Sequence, residues 1–264
     1  MDEIKKDEII KFIQGYEQEE GGFSFARTTP ATLDDTYFAI KTFQELNYPY
    51  YNIKTKKYVN KISPNSVKDS KLLYKLIWLK KYFRINVNDI NNAFHIQSKN
   101  LDGAYYLMKI NKLLGSKIFL DYNAKRYNNK PPKYVSDVLK LAYLFNELKE
   151  EFNKVAYVRY LQDCQNSDGG FGFHPGTTSF LGNTYYSLRA LTILHARPKE
   201  IEKCKQFIVA CKIKAGGFGR QIMTVPTIES TYYAIKSLKL LKMMKKANTP
   251  DSKNKIRSYK LIER

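Results

Sequence analysis

Along residues 33–46 apolar side chains recur at Leu33, Ile40, Phe43 and Leu46, and along 228–241 at Ile228, Ile235, Leu238 and Leu241. That is roughly a 3.6-residue period, the signature of one face of an α-helix. Thr32-Leu33-Asp34-Asp35 and Thr227-Ile228-Glu229-Ser230 open these stretches. Both have the form of a helix N-terminus, with a threonine cap and acids where the helix dipole favours them. Upstream lies a glycine pair and a phenylalanine, as Gly21-Gly22-Phe23, Gly169-Gly170-Phe171 and Gly216-Gly217-Phe218. In all three copies the second glycine precedes a threonine by fourteen positions (22 to 36, 170 to 184, 217 to 231). Glycines suit the positive φ that follows a helix end, and the phenylalanine is an apolar plug for the loop. The unit is a helical hairpin, and the chain repeats it.

Weaker echoes occur at Lys68-Asp69-Ser70, at Leu101-Asp102-Gly103-Ala104-Tyr105-Tyr106 and at Ser136-Asp137-Val138. Positions 35, 69, 103 and 137 fall thirty-four apart and are followed by 183 and 230. The pattern predicts second-of-pair helices at about 33–47, 68–83, 101–115, 135–148, 181–195 and 228–243. First-of-pair helices fit at roughly 2–16, 53–62, 87–97, 116–125, 153–164 and 198–212. The expected fold is all-α, an α/α toroid of about six hairpins in a single domain over 1–246, with a charged tail at 247–264. The best-matched copies are the first and the last two, which become neighbours when a ring closes. The thirty-four-residue spacing also suggests an open tetratricopeptide-type superhelix, but that repeat's Trp-Leu-Gly-Tyr positions are missing.

The second-of-pair helices carry another stripe: Asp34, Tyr37, Phe38 and Lys41, then Asp102, Tyr105, Tyr106 and Lys109. It returns as Gly182, Tyr185, Tyr186 and Arg189, and as Glu229, Tyr232, Tyr233 and Lys236. Steps of three, four and seven place each set on one helix face. Aromatic rings suit an apolar chain, and cations suit a diphosphate. Tyrosines packed between inner helices, with charges as i,i+7 surface partners, would give the same stripe.

The 264 residues include 45 Lys and Arg against 25 Asp and Glu, a formal charge of +20. Such an excess fits an anionic partner or simply lysine-rich outer faces that keep a helical protein dissolved. No arginine-rich aromatic motif appears, so no specific nucleic-acid partner is expected. No run approaches ~18 apolar residues, so no transmembrane helix is expected, and peripheral contact with an acidic membrane stays open. The charged start MDEIKKDEII lacks a signal-peptide centre, and Cys164, Cys204 and Cys211 fit reduced thiols, so the expected location is cytoplasmic. Cys204 and Cys211 do not have metal-ligand spacing. No aspartate-rich magnesium motif, nucleophile elbow or Walker loop is present, and no cofactor is expected.

The unit resembles the repeat of prenyltransferases and terpene cyclases, strongly in 10–46 and 155–243 and weakly in 48–150. Gln165-Asn166-Ser167-Asp168-Gly169-Gly170-Phe171 is similar to the cyclase Q-x-x-x-G-x-W motif, with Phe in place of Trp. The resemblance implies a toroid around an apolar central cavity, with the second-of-pair helices inside and their N-termini near the mouth. Protein prenyltransferase β subunits hold zinc with an Asp-x-Cys at one inner-helix start and a histidine at the next. Here those positions read Asn183-Thr184-Tyr185 and Ser230, so no metal site is expected. His174, in Phe173-His174-Pro175-Gly176, is a loop candidate to face the cavity. Class II cyclases protonate an alkene with the third position of D-x-D-D, and Thr32-Leu33-Asp34-Asp35-Thr36 resembles that motif with its first acid lost. Asp34 and Asp35 are therefore the catalytic candidates, and plain N-terminal helix acids are the alternative. The resemblance implies a protein that acts on or holds a polyprenyl diphosphate. The alternative is a non-catalytic toroid for a lipid tail or peptide of a partner subunit.

Overall fold

The computed structural model describes residues 5–87, 100–116, 122–214 and 216–246. Six helices form the inner ring: α2 (Leu33–Glu45), α4 (Ser70–Tyr82), α5 (Leu101–Leu114), α6 (Val135–Leu148), α8 (Leu181–Ile193) and α10 (Ile228–Lys246). Each packs on the next, and α10 packs on α2, so the ring closes. Outside it lie α1 (Lys6–Gln14), α3 (Ile53–Lys61), α7 (Lys154–Asp163) and α9 (Ile201–Ala210). A two-residue ribbon, β1 (Phe218–Gly219) with β2 (Pro226–Thr227), leads into α10. The toroid expected from the sequence is the fold observed.

Most of the expected helix at 87–97, residues 117–121 and the 247–264 tail lie outside the described residues. The expected helix at 116–125 needs correction over its described part, where a 3-10 turn spans Ala124–Tyr127. Asn123 caps that turn through Lys125 N at 2.9 Å, and Pro131-Pro132 follow soon after, which bars continuation into an α-helix.

The fourteen-residue spacing has a hydrogen-bonding cause. Thr36, Thr184 and Thr231 each accept a bond at Oγ1 from the backbone N–H of Phe23, Phe171 and Phe218, at 3.0, 3.1 and 3.0 Å. The same hydroxyls donate to the carbonyls of Thr32, Phe180 and Thr227 at 2.6, 2.9 and 2.7 Å. Each threonine thus ties the loop to the first turn of its inner helix, with the phenylalanine fully buried beneath it. Thr184→Val keeps the shape but strands a buried donor. It is expected to destabilise the protein by about 1–3 kcal/mol in urea denaturation.

The leading glycines do more than adopt positive φ. Gly21, Gly169 and Gly216 have φ of 94°, 89° and 100°. A Cβ on them would lie 2.3 Å from Lys54 C, 2.2 Å from Lys203 C and 2.4 Å from Glu8 O. Each loop therefore rests on the backbone of the next outer helix. The third contact, from Gly216 to α1, joins the last hairpin to the first. Lys212 reinforces it with an ion pair to Glu8 at 2.6 Å, and Glu45 on α2 binds Lys236 and Lys239 on α10 at 2.6 and 3.0 Å.

Candidate functional site

The inner helices point their second stripe at a central cavity of about 610 Å3, within the size range of ligand pockets. Tyr37, Phe38 and Lys41 line it from α2, Tyr105, Tyr106 and Lys109 with Asp102 from α5, Tyr185, Tyr186 and Arg189 from α8, and Tyr232, Tyr233 and Lys236 from α10. Ring contacts run without a break from α8 to α6. Tyr185 stacks on Tyr233 at 4.8 Å, Phe38 meets Tyr232 at 5.5 Å, Tyr37 meets Tyr74 at 6.2 Å, Tyr74 meets Tyr106 at 5.9 Å and Tyr105 meets Tyr143 at 5.2 Å. The tyrosines therefore do both things the stripe allowed: they pack between inner helices and they wall the cavity. Burial raises the phenols of Tyr37, Tyr232 and Tyr233 well above the ordinary tyrosine range, and pushes Tyr186 up to about 12.

The cavity is not the purely apolar one that the resemblance implies, because ammonium groups are set among the rings. Lys75 Nζ lies 4.3 Å from the Phe38 ring centre, Lys41 Nζ 4.5 Å from Trp78 and Lys109 Nζ 4.1 Å from Tyr74. These are cation–π distances. Burial lowers Lys41 to about 8, helped by the charges of Lys236 and Arg189 and opposed by Glu45. Burial also lowers Lys75 and Lys236, against the pull of Asp34 and Glu45. Lys140 goes the other way: burial disfavours its charge, but hydrogen bonds to Asp102 and Asp137 prevail and raise it.

Four expected site residues do not line the cavity. Asp34 stands at its edge, with Oδ1 accepting from Lys75 Nζ at 2.6 Å; its side chain is 45% exposed while that of Lys75 is 3% exposed. Asp35 belongs to the cap of α2. Its carboxylate accepts from Thr32 Oγ1 at 2.6 Å, and that oxygen accepts from Asp35 N at 3.0 Å. Burial raises Asp35, Thr32 opposes the rise, and the charges of Asp34 and Glu229 add to it. Glu229 accepts from Tyr233 Oη at 2.8 Å. His174 turns to Pro175 O at 3.0 Å within its own loop and to the ring of Tyr134, the residue that precedes α6.

Other lining residues went unnoticed in the sequence: Tyr74, Lys75 and Trp78 on α4, and Lys140 and Tyr143 on α6. A signal existed for two of them. Lys75 stands thirty-four positions from both Lys41 and Lys109, and Tyr143 thirty-four beyond Lys109.

The residues present do not fit zinc. Asn183 and Ser230 are 4% and 6% exposed, and the Thr184 hydroxyl is committed to its loop. All three cysteines are buried, with Cys164 and Cys211 pushed up to about 12 by burial. Among the described residues no group of three His, Cys, Asp or Glu could hold a metal ion. None of the described helices is long and apolar enough to cross a membrane.

Fold and site together define a closed α/α toroid with an aromatic, cation-bearing hollow. The profile of the prenyltransferase alpha-alpha toroid domain matches residues 1–203 and 183–263, and the chain belongs to that family. Among solved structures it is similar to Candida albicans protein geranylgeranyltransferase-I complexed with GGPP, at 14% identity over 92% of each chain, with a TM-score of 0.43. No curated protein matches the chain.

Proposed function

We propose that the toroid holds a polyprenyl diphosphate, with the isoprenoid chain against the aromatic wall and the diphosphate on the cations. The supporting observation is the unbroken belt of rings from α8 to α6 with ammonium groups set into it. Rings accept an unsaturated hydrocarbon along its length, and lysine and arginine neutralise a diphosphate. Purified protein is expected to carry a polyprenyl lipid visible by native mass spectrometry and solvent extraction. Absence of any such lipid, together with failure to bind added geranylgeranyl diphosphate, would remove this reading.

Holding without turnover is the form the site favours. An acid that protonates an alkene must be poised in an apolar hollow, whereas Asp34 is half exposed and bound to an ammonium. Its place in the site is to fix Lys75. Asp34→Asn is therefore expected to leave lipid retention within about threefold of wild type, measured by extraction. If Asp34→Asn instead abolished turnover of a polyprenyl diphosphate by the wild-type protein, the catalytic reading of Asp34 would replace the binding one.

A further inference from the structure

The loop before α8 closes a tight turn, His174-Pro175-Gly176-Thr177, in which Thr177 Oγ1 accepts from His174 N at 3.2 Å and donates to His174 O at 2.7 Å. The loop before α10 repeats it as Gln221-Ile222-Met223-Thr224, where Thr224 Oγ1 accepts from Gln221 N at 3.2 Å and donates to Gln221 O at 2.8 Å. The third position is left-handed in both, with φ of 80° at Gly176 and 60° at Met223. Glycine is unstrained there and methionine is not. Met223 is nonetheless 95% exposed and Val225 80%, so packing within the chain accounts for neither.

Both turns stand on the rim of the toroid, because Phe173 O accepts from Val135 N at the start of α6 and Arg220 O from Leu181 N at the start of α8. Phe25 holds the place of Phe173 and Arg220 in the loop before α2, two residues past the plug, and Tyr134 directly precedes α6. Exposed large apolar side chains thus follow the rim past four consecutive inner helices, α6, α8, α10 and α2: Tyr134, Phe173, Ile222, Met223, Val225 and Phe25. Among the described residues none stands at the start of α4 or α5. Ser70, Asp102 and Ser136 line the cavity from the first turns of their helices, so this end is its mouth. Cations flank the tips: Arg27 follows Phe25, Lys133 precedes Tyr134 and Arg220 precedes Ile222, and all three are exposed. Among the described residues no carboxylate pairs with them. Asp34, by contrast, is taken up by Lys75, and Asp102 and Asp137 by Lys140.

We propose that this rim is a docking surface for an anionic lipid bilayer. Ile222, Met223 and Val225 enter the interfacial layer with Phe25 and Phe173, and Arg27, Lys133 and Arg220 lie among the headgroups. Apolar and aromatic tips beside basic residues are what such an interface holds, and each cation near an anionic surface adds to the attraction. Tips carried on separate loops make no groove for a folded partner to fill, whereas a fluid interface accepts each one independently. The formal charge of +20 draws the chain toward the same surface from a distance. Because the tips cover only the α6-to-α2 arc, the toroid meets the bilayer tilted, with its α4–α5 side lifted. The docking does not depend on what the cavity holds.

Cosedimentation of the full chain with vesicles of equal parts phosphatidylglycerol and phosphatidylcholine tests it, beside vesicles of phosphatidylcholine alone. The anionic vesicles are expected to bind at least tenfold more tightly. Ile222→Ser, Met223→Gly and Val225→Ser together weaken that binding at least tenfold without lowering the melting temperature, since glycine is the residue of the matching turn. Arg220→Gln weakens it about fivefold. Val155→Ser, which changes an exposed side chain beyond the opposite end of α6, stays within twofold. The three native cysteines are buried, so Met223→Cys and Val155→Cys each take a single polarity-sensitive dye. Only the dye at 223 is expected to shift to the blue when anionic vesicles are added. No binding to anionic vesicles, equal binding to both kinds, or equal dye shifts at the two positions overturns the proposal. Self-association that depends on Met223, without vesicle binding, assigns the rim to a contact between copies and overturns it as well.

Discussion

Gly216→Ala is expected to destabilise the protein by about 3–5 kcal/mol, enough to leave much of the chain unfolded at moderate urea. Two effects add. At φ +100° a side chain is strained by about 1–3 kcal/mol. The new Cβ would also sit 2.4 Å from Glu8 O, a backbone atom that cannot rotate away, so α1 must lift from the last hairpin. Gly115 is the control: it too has positive φ, at 69°, but nothing lies within 4 Å of a Cβ there. Gly115→Ala should therefore show only the conformational part, about 1 kcal/mol. Urea midpoints measured side by side decide the matter; equal losses at the two glycines would mean that the contact with α1 contributes nothing.

Lys41→Met is expected to make the ligand-free protein more stable at pH 7. In the unfolded chain this ammonium has its ordinary pKa of 10.5, and burial beside Lys236 and Arg189 lowers it to about 8 in the fold. Below pH 8 the group is charged in both states, and the folded state bears the full penalty. As pH rises from 8 to 10.5 the folded protein releases its proton first, and the penalty fades. The difference corresponds to at most ~3 kcal/mol. Loss of the contacts to Gln44 and Trp78 reduces the net gain to about 1–2 kcal/mol. Denaturation at pH 7 and pH 10 should show the gain at the lower pH and little at the higher. A loss of stability at both would show that Lys41 is well solvated or already matched by a counter-ion.

Much of the ring was legible because its joints are local and repeated. The threonine, the phenylalanine plug and the glycine pair stand at fixed offsets set by one hydrogen-bond pattern, which the sequence displays three times. The wall residues of α2, α5, α8 and α10 were legible for the same reason, since helical period alone puts them on one face. On α4 the aromatic pair of that stripe is replaced by Lys71-Leu72, so Tyr74 and Trp78 supply rings from positions the pattern does not mark. The partner of Asp34 is forty-one residues away on another helix, so the motif that resembles a cyclase acid could not reveal the ion pair. His174 was misleading in a similar way: its direction is set by a loop bonded to Val135 N through Phe173 O, and no period encodes that.

The contact between Gly216 and α1 has a consequence for synthesis. Glu8 and Lys212 are 204 positions apart, and Glu45 and Lys236 are 191 apart, so the first hairpin emerges from the ribosome long before its final neighbour exists. Until then Phe12 of α1 lacks the glycine pair Gly216-Gly217 that covers its ring, and the growing arc is an oily crescent that invites chaperones or self-association. An open array can add units at leisure, but here the last unit must arrive before the first is safe.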